Sequence, residues 1–163
     1  MPQTERRELA AQFVPITRLL MQAEEPLLEA NGITMWEYVV LNALTAGGAA
    51  TQLELSGRTG RDKTRLIEHL DRLESAGLLT RRPDPADRRA RIIEITDAGR
   101  GVVRRCASAI RTMEDALLQQ FSAAERDGFR RVLAVLAERA QTRGWPTGTP
   151  PGRDAEPGPA DAR

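Results

Sequence analysis

Apolar residues recur every three or four positions along most of this 163-residue chain, which predicts a mainly helical protein. This spacing is most regular in a predicted first helix, over about residues 5–30, and in a predicted fifth helix, over about 97–120. Such a period is typical of a seam between packed helices. The seam positions are Leu9, Phe13, Ile16, Leu20, Ala23 and Leu27 in the first helix, and Val103, Cys106, Ile110, Met113 and Leu117 in the fifth.

These two seams are longer than one small lobe can cover, so we expect them to form an interface between two copies of the chain. The alternative is antiparallel packing of the terminal helices within one chain. Pro15 and Pro26 lie inside the first helix, where we expect kinks or a helix start at Pro15.

Capping residues mark the other helix starts. Asp62 is a good N-cap for a helix that ends before Gly77, and Ile67 widens its predicted buried stripe. With the short helix before it and the glycine-containing turn between them, it forms the outline of a helix-turn-helix. The predicted capping boxes are Thr34 with Glu37, Thr51 with Glu54, and Ser122 with Glu125, and the predicted stripe is Leu66, Leu70 and Leu73.

Residues 78–82 and 90–95 are predicted as two strands, the second of which holds three isoleucines. Prolines and aspartates between them favour a turn with a charged tip. The predicted fold is therefore mainly α with a small β-hairpin. Strands do not alternate with helices, which argues against a nucleotide-binding α/β fold.

Positive charge is concentrated around the helix pair and the hairpin. The chain has a net charge of +1, but residues 58–91 hold ten basic and six acidic side chains, a local balance of +4. Such a patch suits phosphate contacts, and a recognition helix enters the major groove by its first turn. A solvated helix face is the alternative. The DNA-binding candidates are Arg61, Lys63, Thr64, Arg65, His69 and Arg72.

Individual side chains suit particular contacts in a groove. Arg65 can fork onto guanine acceptors, and Thr64 can reach a phosphate or a thymine methyl. His69 lies one turn after Arg65 on the predicted helix. Glu68 either accepts from cytosine or pairs with Arg72 one turn later.

The hairpin tip adds a second predicted contact. Arg88 and Arg89 on a narrow projecting turn suit the minor groove. Asp87 beside them is expected to orient an arginine through a charge-assisted hydrogen bond.

Few residues are available for other chemistry. Cys106 is the only cysteine and His69 the only histidine, which excludes a disulfide framework and a multi-histidine metal site. No nucleophile–base pair or phosphate loop can be assembled, so we expect neither enzymatic activity nor a cofactor. We expect Cys106 to be a small core residue. Without a secretory signal or a membrane-spanning run, we expect a cytoplasmic protein.

The C-terminal end has a different composition. Five prolines and four glycines occur among the 23 residues 141–163, where only Trp145 could anchor the chain. We therefore expect a disordered tail after a folded unit that ends near residue 140.

Residues 84–99, DPADRRARIIEITDAG, resemble the wing of MarR-family transcriptional regulators. The D-x-R pattern falls on Asp87 and Arg89, and the pattern that follows falls on Ile95, Thr96 and Gly99. The segments DKTR and LESAGL at the two ends of the recognition helix, and TMW before the second helix, also resemble the family. The resemblance covers about residues 5–140.

This resemblance implies a winged-helix domain over residues 1–140 that acts as a homodimer. The DNA-binding lobe would cover about 34–96, and the dimerisation helices about 5–30 and 97–140. Two recognition helices would read the half-sites of a pseudo-palindrome while the wings touch the flanking minor grooves.

The same resemblance implies roles for single residues and for an effector. Arg89 would be the wing-tip arginine and Asp87 its partner. A small aromatic or phenolic ligand would bind between the dimer helices and the DNA-binding lobe. Trp36 is a candidate for that site, and packing in the core is the alternative role for this residue.

The predicted function is a ligand-responsive repressor. The alternative is a degenerate winged helix that binds a partner protein without specific DNA binding. Arg65, Arg88 and Arg89 argue against that alternative, whereas a salt-insensitive affinity for DNA would favour it.

Overall fold

The computed structural model of this chain describes residues 8–87 and 90–142. Within them it has six α-helices and three short strands. The helices are α1 (Leu9–Glu29), α2 (Met35–Gly47), α3 (Gln52–Thr59), α4 (Lys63–Ser75), α5 (Asp97–Leu117) and α6 (Ala123–Thr142). The strands are β1 (Ala50–Thr51), β2 (Leu79–Pro83) and β3 (Arg91–Ile95).

The chain divides into two compact units, residues 1–117 and 118–163. The described part of the second unit consists of the turn at 118–122 and helix α6, which ends at Thr142, two residues beyond the predicted end of the folded unit. The predicted tail from residue 143 onward, with Trp145, lies outside the described residues.

Local capping interactions begin the helices where the sequence predicted them. In α2, Thr34 N–H donates to Glu37 Oε2 at 2.7 Å, and Glu37 N–H donates to Thr34 Oγ1 at 3.4 Å. The same reciprocal pairs form at the starts of α3 and α6. Asp62 Oδ1 accepts from two backbone N–H groups at the start of α4. All four predicted caps are therefore confirmed.

The sheet has one strand more than predicted. Strands β2 and β3 form the expected antiparallel hairpin, in which Arg81 lies opposite Ile93. The two-residue β1 pairs with the other edge of β3 and places Ala50 opposite Ile93. Two residues cannot show a period in sequence, so β1 had no detectable pattern.

The core lies between α2, α4, α5 and the sheet. Leu66, Leu70 and Leu73 of α4 are buried in it as predicted. Ile67 is not: it is 41% exposed, so the prediction that it widens the buried stripe was wrong. Helix α5 also faces inward, with Cys106 fully buried among the core residues.

The burial of α5 corrects the interface prediction. Val103, Cys106 and Ile110 were expected to form part of a seam between two chains, but all three are buried within one chain. Helix α5 packs against α1 and α2, and these helices cover its apolar stripe. The interpretation that both seams require a second chain is therefore wrong for this part of α5.

Helix α1 is continuous from Leu9 and contains Pro15 and Pro26, so of the two expectations at these prolines the helix start at Pro15 was wrong, and kinks stay a prediction. Its C-terminal end reaches the core, where Leu28 is fully buried. Its N-terminal part remains uncovered: Leu9, Phe13 and Ile16 are 59%, 37% and 44% exposed.

The start of α5 is fixed against the base of the hairpin. Thr96 Oγ1 donates to the Gly77 carbonyl at 2.8 Å and accepts from Gly99 N–H at 3.1 Å. A Cβ on Gly99 would lie 2.1 Å from the Leu78 carbonyl oxygen, so only glycine fits there. This contact sets the position of the hairpin relative to α5.

Candidate nucleic-acid interface

The first turn of α4 presents a small polar surface. Lys63, Thr64 and Arg65 are all exposed there, as the helix-turn-helix outline predicts. Their backbone is held by the Asp62 cap, and hydrogen bonds to the N–H groups of Arg65 and Thr64 lower the pKa of Asp62. The turn before it is fastened by Ser56 Oγ, which donates to the Arg61 carbonyl at 2.6 Å. The exposed side chains therefore extend from a fixed backbone.

Arg65 is the exposed arginine of this surface. Its side chain is 67% exposed, and its Nε lies 3.7 Å from Asp62 Oδ2. Exposed ion pairs of this kind contribute little free energy because water screens both charges. Five N–H donors in a planar fork are thus available to an acceptor pair such as guanine O6 and N7.

Arg61 faces the protein instead. Its guanidinium carbon lies 3.9 Å from the centre of the Trp36 ring, a cation–π contact between α2 and the turn before α4. Arg61 Nε is buried and has no hydrogen-bond partner among the described residues. One face of the Trp36 indole is thereby covered, although Trp36 was predicted as a ligand-binding candidate.

Arg72 also contacts α2, although its side chain is 64% exposed. Its Nε lies 3.1 Å from Oε1 of Glu37, whose side chain is only 2% exposed. The other carboxylate oxygen of Glu37 is the capping-box acceptor, so one residue both starts α2 and holds α4. The ion pair joins residues 35 positions apart, and the predicted partner Glu68 is not the one that Arg72 contacts.

His69 is partly buried on the same side of α4. Burial is the main cause that lowers its pKa, with a smaller opposing effect of Glu37 and a lowering effect of Arg61. A lowered pKa favours the neutral imidazole near neutral pH. The sequence predicted that His69 lies on the same face of the helix as Arg65. In the structure its electrostatic neighbours include Arg61 and Glu37, which belong to the contact with α2.

The predicted residues of α4 and its preceding turn therefore form two groups. Lys63, Thr64 and Arg65 point to solvent and form the outer group. The inner group contacts or lies near the first turn of α2 and consists of Arg61, His69 and Arg72 with Trp36 and Glu37. Sequence reasoning missed Glu37 because it was already explained as a capping residue.

The hairpin base carries arginines that are already paired. Arg81 donates to Asp71 at 2.6 Å and, through Nε, to Glu74 at 2.8 Å. The hydrogen bond from Arg81 to Glu74 lowers the pKa of Glu74, and the two bonds together fasten β2 to α4. Arg82 donates to Glu94 across the hairpin at 2.7 Å. Both arginines lie in the basic patch, but carboxylates already compensate their charge.

The turn of the hairpin is closed by backbone hydrogen bonds. Asp84 N–H donates to the Ala90 carbonyl at 3.1 Å, and Ala90 N–H donates to the Asp87 carbonyl at 2.9 Å. Asp87 is exposed. Arg88 and Arg89 lie outside the described residues, so their role at the tip stays a prediction.

Two other classes of site are missing from the described part of the chain. No group of three or more His, Cys, Asp or Glu residues there is arranged to hold a metal ion. None of its helices combines the length and the apolar character needed to cross a bilayer.

Comparison with known proteins identifies the lobe that carries these residues. The MarR family model matches residues 31–90. The transcriptional repressor NicR of Pseudomonas putida is 27% identical over 112 residues, which are 69% of this chain and 71% of NicR. The wild-type MarR structure from E. coli superposes with a TM-score of 0.75 over 81% of this chain and 98% of MarR, at 22% identity.

A second solved structure is closer in sequence. The PcaV transcriptional regulator of Streptomyces coelicolor is 32% identical, with a TM-score of 0.58 over 77% of this chain and 95% of PcaV. A further PcaV structure, in complex with its natural ligand, gives 31% identity and a TM-score of 0.60 over 82% of this chain and 97% of PcaV.

Proposed function

Because this chain belongs to the MarR family of winged helix-turn-helix transcriptional regulators, we propose that it is a ligand-responsive repressor. It would bind a pseudo-palindromic operator as a homodimer and leave the DNA when a small molecule binds. As a DNA-binding regulator it would act in the cytoplasm. The family and the fold are those of transcriptional regulators and not of enzymes.

The observation that carries the DNA contact is the exposed first turn of α4. Lys63, Thr64 and Arg65 point away from a helix whose other side is buried in the core. This is the part of a recognition helix that enters the major groove. The inner group would act indirectly, because Arg61 and Arg72 hold α4 against α2.

The wing would supply a second contact through Asp87, Arg88 and Arg89. The minor groove distinguishes base pairs poorly, so contacts there strengthen binding to most sequences alike. Since the tip arginines carry the positive charge, Asp87 would orient one of them rather than face phosphate.

The uncovered face of α1 supports the homodimer. Leu9, Phe13 and Ile16 are exposed together with Val14 and Met21 on the same helix. Helix α6, taken by itself, also exposes Phe129, Val132 and Val135. Contiguous exposed apolar surface of this kind usually marks an interface. We propose the domain limits of 1–140, with dimerisation helices flanking a DNA-binding lobe at 34–96 and a tail after it.

Ligand response is supported by the relatives. NicR is a repressor, and PcaV has been solved with its natural ligand. We propose a small aromatic or phenolic effector for this chain. If such a ligand stacks on Trp36 on the face that Arg61 now covers, it must displace the arginine and so loosen the turn before α4. Binding would then quench or shift Trp36 fluorescence.

The decisive test is Arg65→Ala against two duplexes, one selected by the wild-type protein from a randomised library and one scrambled. We expect a loss of about 1–3 kcal/mol on the selected duplex and a much smaller loss on the scrambled one. Arg111→Ala, which removes an exposed arginine of α5, is the matched control. Arg72→Ala is a poorer test because it leaves Glu37 buried without its ion pair.

The wing is tested separately by salt dependence. Arg89→Ala should weaken binding to both duplexes evenly and lower the slope of log K against log salt by about one for each phosphate that the arginine neutralises. Asp87→Ala should give a milder form of the same result. Unchanged affinity and slope for Arg89→Ala would remove the wing from the interface. Failure of the wild-type protein to select any sequence would contradict the proposed function.

A further inference from the structure

Ile67 occupies an unusual place on the recognition helix. Three of the four large apolar residues of α4 are buried: Leu66, Leu70 and Leu73. Ile67 is 41% exposed, although its position in the helical repeat, next to Leu66, is compatible with a buried side chain. An apolar side chain is therefore presented to solvent in the middle of a helix whose outer face is otherwise polar.

The neighbours of Ile67 define which face this is. Lys63 and Thr64, one turn earlier, are exposed on the same side of α4. Asp71, one turn later, is held by Arg81 of the hairpin. Lys63 and Ile67 are separated by about 6 Å along the helix axis. Ile67 thus lies on the surface that the proposed function places in the major groove, just behind its leading residues.

We propose that Ile67 reads a thymine in each half-site through the C5-methyl group, an inference that rests on the proposed DNA binding. An isoleucine side chain has no donor or acceptor for phosphates, guanine or adenine. The thymine methyl is the apolar group that the major-groove edges of the base pairs offer. Arg65 and Ile67 would then read different bases, one by hydrogen bonds and the other by apolar contact.

The expected effect is modest and specific to sequence. Removal of one buried methyl group from the interface should weaken binding about fourfold, and removal in both half-sites about fifteenfold. Because Ile67 is exposed in the free protein, Ile67→Ala should leave the melting temperature nearly unchanged. A defect in binding without a defect in folding therefore separates this role from a core role.

The experiment replaces each thymine of the selected duplex by deoxyuridine, which removes only the methyl group. Affinities are measured by fluorescence anisotropy for the wild-type protein and for Ile67→Ala. We expect one thymine per half-site at which deoxyuridine costs the wild-type protein about fourfold and costs Ile67→Ala nothing further. Thr64→Ser is the matched control, because it removes the other methyl of this face that could reach a thymine.

The contrary outcomes are distinct. A deoxyuridine penalty that persists in Ile67→Ala but disappears in Thr64→Ser would assign the contact to Thr64. A flat deoxyuridine scan on a duplex that the protein does select would overturn the role of Ile67 and leave the proposed function standing. If no sequence is selected at all, both proposals fail together.

Discussion

Helices α1 and α5 are both 21 residues long, pack against each other and carry apolar residues at the same spacing, but their surroundings differ. The stripe of α5 is buried as far as Ile110, with Met113 partly buried behind it. The stripe of α1 is partly buried from Leu20 onward and fully buried at Leu28, while Phe13 and Ile16 remain exposed. The same spacing of apolar residues therefore gives a buried stripe on α5 and a partly exposed stripe on α1.

This difference shows what an apolar period does and does not determine. A period states which side of a helix packs, but the neighbours of that side decide what covers it. Helix α5 follows the hairpin directly and is fixed to it through Gly99, so α1 and α2 enclose its stripe. The N-terminal part of α1 extends beyond these partners. The proposed homodimer therefore has to be tested on α1 and not on the buried part of α5.

We expect the largest loss of stability when a charge is introduced into the buried stripe of α5. Ile110→Glu places a carboxylate in the core and should cost at least about 4 kcal/mol, enough to unfold a typical domain. Thermal and urea denaturation should show this loss at every protein concentration. Arg111→Glu, on the exposed neighbouring position, should stay within about 0.5 kcal/mol of the wild type. A folded Ile110→Glu monomer would mean that α5 serves the interface after all.

The same change on the uncovered stripe should act on assembly and not on folding. Phe13→Glu should leave the helical circular dichroism unchanged and weaken the dimer at least about tenfold in sedimentation equilibrium, because both copies of a symmetric interface carry the charge. Ala11→Glu is the control, since two residues turn the helix by about 200° away from Phe13. Equal dimer strength in Phe13→Glu and Ala11→Glu would contradict the interface on α1.

How far the sequence predicts this molecule depends on the range of each interaction. Thr34, Thr51 and Asp62 start helices through contacts within three residues, and their sequence patterns were sufficient. The ion pair of Glu37 with Arg72 joins distant segments, and no local rule distinguishes it from a pair with Glu68. The local sequence is also insufficient for Ile67, because its position in the helical repeat fits either a buried or an exposed side chain.

The residues of the candidate interface show the same difference between local and long-range interactions. The outer group, Lys63, Thr64 and Arg65, follows from the cap at Asp62 and the turn of a helix, and the structure exposes these residues as expected. The contacts of Arg61 and Arg72 depend on α2, which contributes Trp36 and Glu37 from an earlier part of the chain, and the side chain of Arg72 stays 64% exposed beside this contact. Charge alone does not predict which arginines of a basic patch contact another helix of the same chain.

A smaller effect is expected from the thiol on the covered stripe. Burial raises the pKa of Cys106, so little thiolate is available near neutral pH. Iodoacetamide should label native protein at least about a hundredfold more slowly than protein in urea, because labelling requires the structure to open. Cys106→Ser should cost about 1–2 kcal/mol and lower the melting temperature by a few degrees. Rapid native labelling would instead indicate that α5 leaves the core readily.

The smallest effect concerns the contact between the two helices. Burial, and then the negative charge of Glu114 on α5, raise the pKa of Glu24 on α1. The folded state therefore binds a proton more readily than the unfolded state, and the stability from protonated Glu24 is lost as the pH rises through the folded pKa. The effect should be small because Glu24 is only partly buried, and solvent screens its charge.

Glu24→Gln should consequently be more stable than the wild type at neutral pH, and this advantage should vanish below the ordinary glutamate pKa. Melting temperatures of the two proteins between about pH 4 and pH 8 give the comparison directly. Glu25→Gln, at the exposed neighbouring position, separates a general charge effect from the contact with α5. A Glu24→Gln advantage that does not change with pH, or one that Glu25→Gln reproduces, would show that Glu24 does not sense α5. A pH-dependent advantage confined to Glu24→Gln would show that Glu24 lies close to α5 in solution, as it does in the structure. This contact is at the end of α1 that packs on the core.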